Sequence, residues 1–284
     1  MNHLKIGLRL NRNRRFVLPL LIFLLFAGGI AGLGSIRYPY GELGGLAPVL
    51  PSASAERREV FKFRVASFNI HSGRGADGNF DLSRIATELS GTDLAGLNEV
   101  RGPSLLSEKD QAAQLGEKLG MAAIFGPSER RWFITSFGNG LLSRFPILTW
   151  RSRPMQVGRP GTYRSVIVAR LKIGEQSVQI IVGHVERGEL RDPQLRELRE
   201  IFETTPAPTI LMGDLNAEPS HPELLRMANF PGAAHARVFG RFHSSKLIDH
   251  IYVRGLRVLS AEAVFNQASD HPIVWADIES PASL

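Results

Sequence analysis

Apolar and polar positions alternate with a period of two along several short stretches of this chain. Residues 60–69 ("VFKFRVASFN") carry the pattern of a strand, and 93–99 ("DLAGLNE") repeat it after a helix-spaced "DLSRIATELS". The runs "GNGLLSRFPI", "TYRSVIVARLKI", "QSVQIIVGHV", "PTILMGDLN", "LIDHIYVRG" and "HPIVWADI" extend the same reading. By contrast, "SEKDQAAQLGEKLG" and "DPQLRELREIF" have helical spacing and acid-rich starts. Strands outnumber helices and their order is mixed, which predicts an α+β fold with sheets packed face to face and helices outside.

A different pattern precedes this region. Residues 16–36 ("FVLPLLIFLLFAGGIAGLGSI") are uncharged, and a helix of that length would span roughly 31 Å, about the thickness of a bilayer's hydrocarbon core. Lys5, Arg9, Arg12, Arg14 and Arg15 come before it with no acid among them. Positive charge is retained on the cytoplasmic side. The expected organisation is a basic cytoplasmic N-terminus (1–15), a transmembrane anchor (16–36), a linker rich in Gly, Pro, Ala and Ser (37–58) and a single domain (59–284). That places the protein in a bacterial-type inner (plasma) membrane as a single-pass chain with its domain extracytoplasmic, or periplasmic. A cleaved signal peptide is the competing reading, because Ala53-Ser54-Ala55 forms an A-x-A site. It lies far beyond the apolar run, and the run is long for a signal segment.

Charge changes the picture little. The net charge is +7, but the N-terminal cluster accounts for most of it and residues 56–284 carry only +2. The basic balance is therefore weak evidence for a nucleic-acid partner. The chain has no cysteine, so disulfides, thiolate metal sites and cysteine nucleophiles are excluded.

Chemistry gathers at the strand ends. In "TILMGDLNAE" a buried-type apolar run ends in Asp214 and Asn216, two apart and so directed to one face of an extended chain. An Asx-type turn explains that stretch equally well by itself. Asn69, Glu99, His184, Asp249, Asp270 and His271 likewise follow or end apolar runs. Each has a structural explanation alone, as a turn former or a satisfied buried group. Together they describe strand ends gathered around one pocket.

The ordered set "SFNIH", "LNEV", "GNGLLSRFPI", "GHVERG" followed by Arg191-x-x-Gln194, "ILMGDLNAEP", "IDHIYV" and "SDHPIV" resembles the endonuclease/exonuclease/phosphatase superfamily typified by deoxyribonuclease I. The resemblance runs over about residues 62–278. It implies a four-layer α/β/β/α sandwich of two mixed sheets and a divalent-metal-dependent hydrolase of phosphoester bonds, of the phosphodiesterase or nuclease type. Carried over by position, it makes Glu99 the principal metal ligand, with Asn69 and Asp270 completing the metal site. Asp214 and Asn216 would position water and a phosphate oxygen, Asp249 would hold His271, and His184 would contact the phosphate. Arg164 and Asn139 are secondary phosphate-binding candidates. "GHVERG" departs from relatives in lacking a Thr-His pairing.

Chemistry independent of that name agrees. Carboxylates and an amide make an oxygen-only site suited to Mg²⁺ or Mn²⁺, and no third His or Cys lies at zinc-ligand spacing. The implied partners are a phosphoester substrate, either nucleic acid or nucleotide or a phospholipid, and a membrane through the N-terminal helix; no protein partner is implied. A sphingomyelinase-like lipid-headgroup phosphodiesterase is the alternative, motivated by the anchor and by Trp132-Phe133 in "RRWFITSF". A non-catalytic module of the same fold is disfavoured because every metal and histidine position is retained.

Overall fold

The computed structural model describes residues 14–46, 61–104, 107–131, 135–156, 163–236 and 247–280. Its elements run α1 (Arg14–Ser35), β1 (Arg37–Pro39), β2 (Leu43–Gly45), β3 (Phe61–Asn69), α2 (Leu82–Glu88), β4 (Leu94–Ser104) and α3 (Gln111–Leu119). They continue through β5 (Ala122–Arg131), β6 (Thr135–Ser143), β7 (Ile147–Pro154), β8 (Ser165–Ile173), β9 (Gln176–His184) and α4 (Arg191–Thr204). The chain closes with β10 (Thr209–Asp214), α5 (Pro222–Ala228), β11 (Ala233–His235), β12 (Asp249–Arg254), β13 (Arg257–Val264) and β14 (Ile273–Ser280).

Two seven-stranded sheets result, ordered β1-β5-β6-β4-β3-β14-β13 and β11-β12-β10-β9-β8-β7-β2. Both are mixed. β3 and β4 are parallel across α2, and β9 and β10 are parallel across α4, while the other pairs are antiparallel. Successive side chains point to opposite faces, and the inner strands are buried at consecutive positions, as in β8 and β10, so each sheet has two apolar faces. Val65, Ile124 and Leu141 of one sheet meet Ile180, Val182 and Met212 of the other between the sheets. On the outer faces, Phe68 and Leu97 pack with Leu82 and Ile85 of α2 and Leu115 of α3, while Ile181 and Leu211 pack with Leu195, Leu198 and Phe202 of α4 and Leu224 of α5. Three apolar layers between four structural layers make the sandwich expected from the sequence. Each such fully buried side chain contributes about 1.5–3 kcal/mol.

Capping chemistry sets the helix starts. Asp81 accepts from the Ser83 amide ahead of α2, and Asp110 accepts from the Ala113 amide ahead of α3. α3 then stops at Gly120, whose φ of 64° suits a residue without Cβ. Gly213 has a different reason: a Cβ there would lie 1.8 Å from the Gly183 carbonyl oxygen, so no side chain fits where β10 runs against β9.

The segment read as a linker is partly sheet. β1 pairs with β5 and β2 pairs with β7, so residues 37–45 clip onto an edge of each sheet. Local composition could not show this, because edge pairing is made with distant strands. β5, β11, β13, α5 and all of β7 but its first residue also lie outside the runs read from the sequence. β13 is an edge strand with little burial, and β5 contains Gly126 and Pro127.

α1 is a helix of 22 residues, and its side chains from Val17 to Leu33 are all exposed. Among the described residues no helix is long and apolar enough to cross a membrane. Most of the basic N-terminal cluster and Ala53-Ser54-Ala55 lie outside the described residues, as do Trp132 and Phe133.

Candidate active site

Strand register assembles the site. In one sheet Asp214 stands opposite His184 across the parallel pair β9 and β10, and opposite Asp249 across the antiparallel pair β10 and β12. In the other sheet Asn69 stands opposite Asn98. A buried carboxylate, Asp214, joins the two: its Oδ2 accepts from Asn69 Nδ2 at 3.1 Å and lies 3.5 Å from His184 Nε2 and 3.8 Å from His271 Nε2. The same Asn69 Nδ2 donates to Glu99 Oε1 at 3.2 Å.

Glu99 reaches this position through a backbone irregularity. Its φ is 59°, and the β4–β6 register shifts between Leu97 and Val100. The bulge turns the carboxylate toward the cleft. Asn98, one residue earlier, points between the sheets. It donates to the Gly183 carbonyl at 3.0 Å and to Asn139 Oδ1 at 2.8 Å, and accepts from the Asp214 amide at 2.7 Å.

The remaining groups come from loops fastened to these strand ends. Ser269 Oγ donates to the Asn69 carbonyl at 2.7 Å and accepts from the His271 amide at 3.2 Å, tying the "SDH" turn to β3. Asp270 follows, exposed, with Oδ1 3.4 Å from His71 Nδ1. The His71 amide in turn donates to Asn69 Oδ1 at 3.1 Å. Asn216, at φ 48°, donates to the Val185 carbonyl at 2.8 Å and accepts from Arg187 Nε at 2.9 Å. Its own amide donates to Asp214 Oδ1 at 3.0 Å, the Asx turn that the local sequence also allowed. Turn and site are thus the same structure.

Arg164 is ion-paired with Glu186 at 2.8 Å and lines a cavity of about 340 Å³ that Glu99 and His71 also line. Asn139 is different. Its Nδ2 donates to the Ser165 carbonyl at 2.7 Å while Oδ1 accepts from Asn98, so both ends of the amide are bound within the fold. Asn139 therefore bears on the site through Asn98.

Burial and charge set the protonation states. Burial, reinforced by the Asp249 charge, pushes the Asp214 carboxyl up to about 7 against the opposing effects of His271, Asn69 and the Asn216 amide. For His271 burial opposes the charged form, but the Asp249 hydrogen bond and the charges of Asp249, Asp214 and Asp270 prevail and raise it to about 9. His184 goes the other way: burial and the positive charges of Arg164, His271 and Arg187 hold it well below 6.5, as a neutral imidazole. Two histidines flanking one acid are thus differentiated by their surroundings.

The family model described as Endonuclease/Exonuclease/phosphatase family matches residues 66–271. The chain belongs to the endonuclease/exonuclease/phosphatase family. Members of this family are typically phosphoesterase hydrolases. No curated protein matches the chain. Solved structures share the endonuclease/exonuclease/phosphatase fold at low identity. An endonuclease/exonuclease/phosphatase from Beutenbergia cavernae DSM 12333 is 23% identical with a TM-score of 0.63, over 78% of this chain and 72% of that one. The human Nocturnin catalytic domain, solved with bound sulfate, is 18% identical with a TM-score of 0.57, over 76% and 94%. D. rerio TDP2 in complex with a single-strand DNA product is 15% identical with a TM-score of 0.54, over 76% and 98%.

Endonuclease/exonuclease/phosphatase proteins are generally divalent-metal dependent, and among the described residues one buried cluster could hold an ion. Atoms of Asp214, Asp249 and His271 lie within 4.8 Å of one another, all buried. However, Asp249 Oδ2 and His271 Nδ1 are engaged with each other at 2.8 Å, and a charged imidazolium repels a cation. Glu99 hydrogen-bonds Asn69 directly, and Asp270 reaches Asn69 through His71; oxygen donors of this kind suit a hard cation. Asn69 meets the carboxylates as a donor through Nδ2, while its oxygen is turned to the His71 amide. Asn98, Arg187, His71 and Ser269 are the residues sequence reasoning passed over. All four sit inside the quoted motifs, but only their partners reveal what they do.

Proposed function

We propose that this protein is a divalent-metal-dependent phosphodiesterase. The observation that carries the reading is the meeting of both sheets at one acid: Asp214 Oδ2 neighbours Asn69, His184 and His271, and Asn69 links it to Glu99. A metal ion, Mg²⁺ or Mn²⁺, would be held by the Glu99 and Asp270 carboxylates, with Asn69 Nδ2 orienting Glu99, and would supply charge neutralisation to phosphoryl oxygens.

The chain's own groups account for the rest. Asp214, with a proton affinity poised near neutrality and its Oδ1 held by the Asn216 backbone amide, takes a proton from the attacking water. His271, charged and oriented by Asp249, and Arg164 stabilise negative charge on the phosphoryl oxygens. Neutral His184 offers a hydrogen bond to the same group. Water's oxygen forms the new P–O bond, the P–O bond to the leaving alcohol breaks, and the leaving oxygen acquires a proton. The products are a phosphomonoester and an alcohol. Hydrolysis of bis-p-nitrophenyl phosphate, dependent on Mg²⁺ and abolished in Glu99→Ala, is the expected result; metal-independent turnover that survives Glu99→Ala refutes it.

The fold relative solved with a single-strand DNA product is in keeping with a phosphodiester substrate, and the endonuclease/exonuclease/phosphatase fold itself admits several kinds. We further infer that α1 anchors the protein in a membrane, with the basic end cytoplasmic and the catalytic domain extracytoplasmic. Its support is the uncharged run 16–36 and the exposure of every described side chain on the helix, from Val17 to Leu33. Expression with and without residues 1–36, followed by membrane fractionation, tests the anchor.

A further inference from the structure

The segment that follows α1 belongs to the active-site cleft. Arg37, the first residue of β1, stands opposite Arg131 of β5 and lines the same cavity as Glu99. Its guanidinium lies 3.5 Å from Glu129 Oε2. α1 ends at Ser35, so one residue, Ile36, separates the apolar helix from the cavity wall. Two Cα–Cα steps of about 3.8 Å allow at most roughly 8 Å between Ser35 and Arg37.

That distance decides where the cleft sits. The polar layer of a bilayer adds about 5–7 Å on each side of a ~30 Å hydrocarbon core. With α1 spanning the core, Arg37 lies at the depth of lipid phosphates however the rest of the domain tilts. The domain is also held there at two points, because β1 is bonded to the edge of one sheet and β2 to the edge of the other. The cavity is lined by four arginines, Arg37, Arg74, Arg101 and Arg164, against the acids Glu99 and Glu129. An anion is therefore favoured inside it.

We propose that the phosphoester cleaved here is an anionic phospholipid headgroup presented by the membrane itself, with Arg37 as a specificity-determining residue that contacts it. The inference rests on the phosphodiesterase reading and on α1 as the anchor. A nucleic acid would have to bring a long polyanion within roughly 8 Å of an anionic bilayer, inside the Debye length at physiological salt, where like charges still repel. Water attacks the headgroup phosphorus, one P–O ester bond breaks, and the leaving oxygen is protonated, giving a phosphomonoester and an alcohol.

The test uses the full chain reconstituted in phosphatidylglycerol/phosphatidylethanolamine vesicles with Mg²⁺. Phosphatidylglycerol in the same vesicle as the enzyme should turn over at least tenfold faster than in separate vesicles, and faster than an added single-stranded oligonucleotide. Inserting twelve Gly/Ser residues between Ile36 and Arg37 should remove the same-vesicle advantage while leaving bis-p-nitrophenyl phosphate turnover within twofold. Equal rates in same and separate vesicles, preference for the oligonucleotide, or indifference to the spacer overturns the proposal. If the wild-type chain fails on bis-p-nitrophenyl phosphate as well, the phosphodiesterase reading has failed; activity on that compound without activity on lipid refutes the lipid proposal alone. The comparison of same and separate vesicles uses the unaltered chain, so its outcome does not depend on the spacer variant folding.

Discussion

His271 Nδ1 lies 2.8 Å from Asp249 Oδ2, while Nε2 of the same ring is 3.8 Å from Asp214 Oδ2. The ring is fixed by one acid and faces another. Asp249 favours the imidazolium, so Asp249→Asn should lower turnover of bis-p-nitrophenyl phosphate by roughly 10²–10⁴-fold, the range for a positioned acid–base group. A change below threefold would remove Asp249 from the mechanism.

The pH profile follows from the two shifts. His271 is charged up to about 9, and Asp214 becomes a carboxylate above about 7. Activity should rise through about 7 and fall through about 9. In Asp249→Asn the alkaline limb should move down toward about 6.5, the ordinary histidine value. Rate–pH profiles of the two proteins decide it.

Asp214 also makes a stability prediction of defined sign. Its folded value is raised from 3.8, so the fold favours the protonated form; that contribution is present below 3.8 and is lost as pH rises through about 7. Asp214→Asn carries no charge and escapes the loss. In EDTA, its melting temperature relative to the unaltered protein should improve from pH 5 to pH 8 by several degrees, while its activity is abolished. The same difference at both pH values would show that the Asp214 charge is not the cause.

Metal binding should be visible without turnover. Mg²⁺ at a hundredfold excess over its Kd stabilises the fold by about 2.7 kcal/mol. Glu99→Ala should lose that thermal shift. An unchanged shift would place the ion elsewhere, with Asp214 and Asp249 the next residues to replace.

Asn98 makes two hydrogen bonds across the sheets, to the Gly183 carbonyl and from the Asp214 amide. Asn98→Ala leaves the Asp214 amide, the Gly183 carbonyl and Asn139 Oδ1 without their partner. At about 1–3 kcal/mol for a buried group left unsatisfied, urea unfolding should show a loss of roughly 3–5 kcal/mol. A loss under about 1 kcal/mol would mean that these groups find other partners.

Much of the site was legible in the sequence. Asn69, His184, Asp214 and Asp249 each end or begin a strand whose alternation is plain along the chain; the structure seats the last three side by side in one sheet, and Asn69 reaches Asp214 from the other. Asn98 and Arg187 were not legible. A buried Asn and a surface-type Arg acquire meaning only from Asp214 and Asn216, 116 and 29 residues away. Asn139 reads as a cleft residue in sequence, yet its amide is bound between the sheets.

The sequence by itself determined most of the strand and helix segments of the body, their packing class and the kind of chemistry at the strand ends, because period and side-chain type are local properties. Tertiary structure alone decided which histidine is charged and which is neutral, how the bulge at Glu99 turns its carboxylate, and that β1 carries Arg37 into the cleft. These depend on burial and on the distance between groups far apart in the chain, and neither quantity exists until the two sheets have closed on each other.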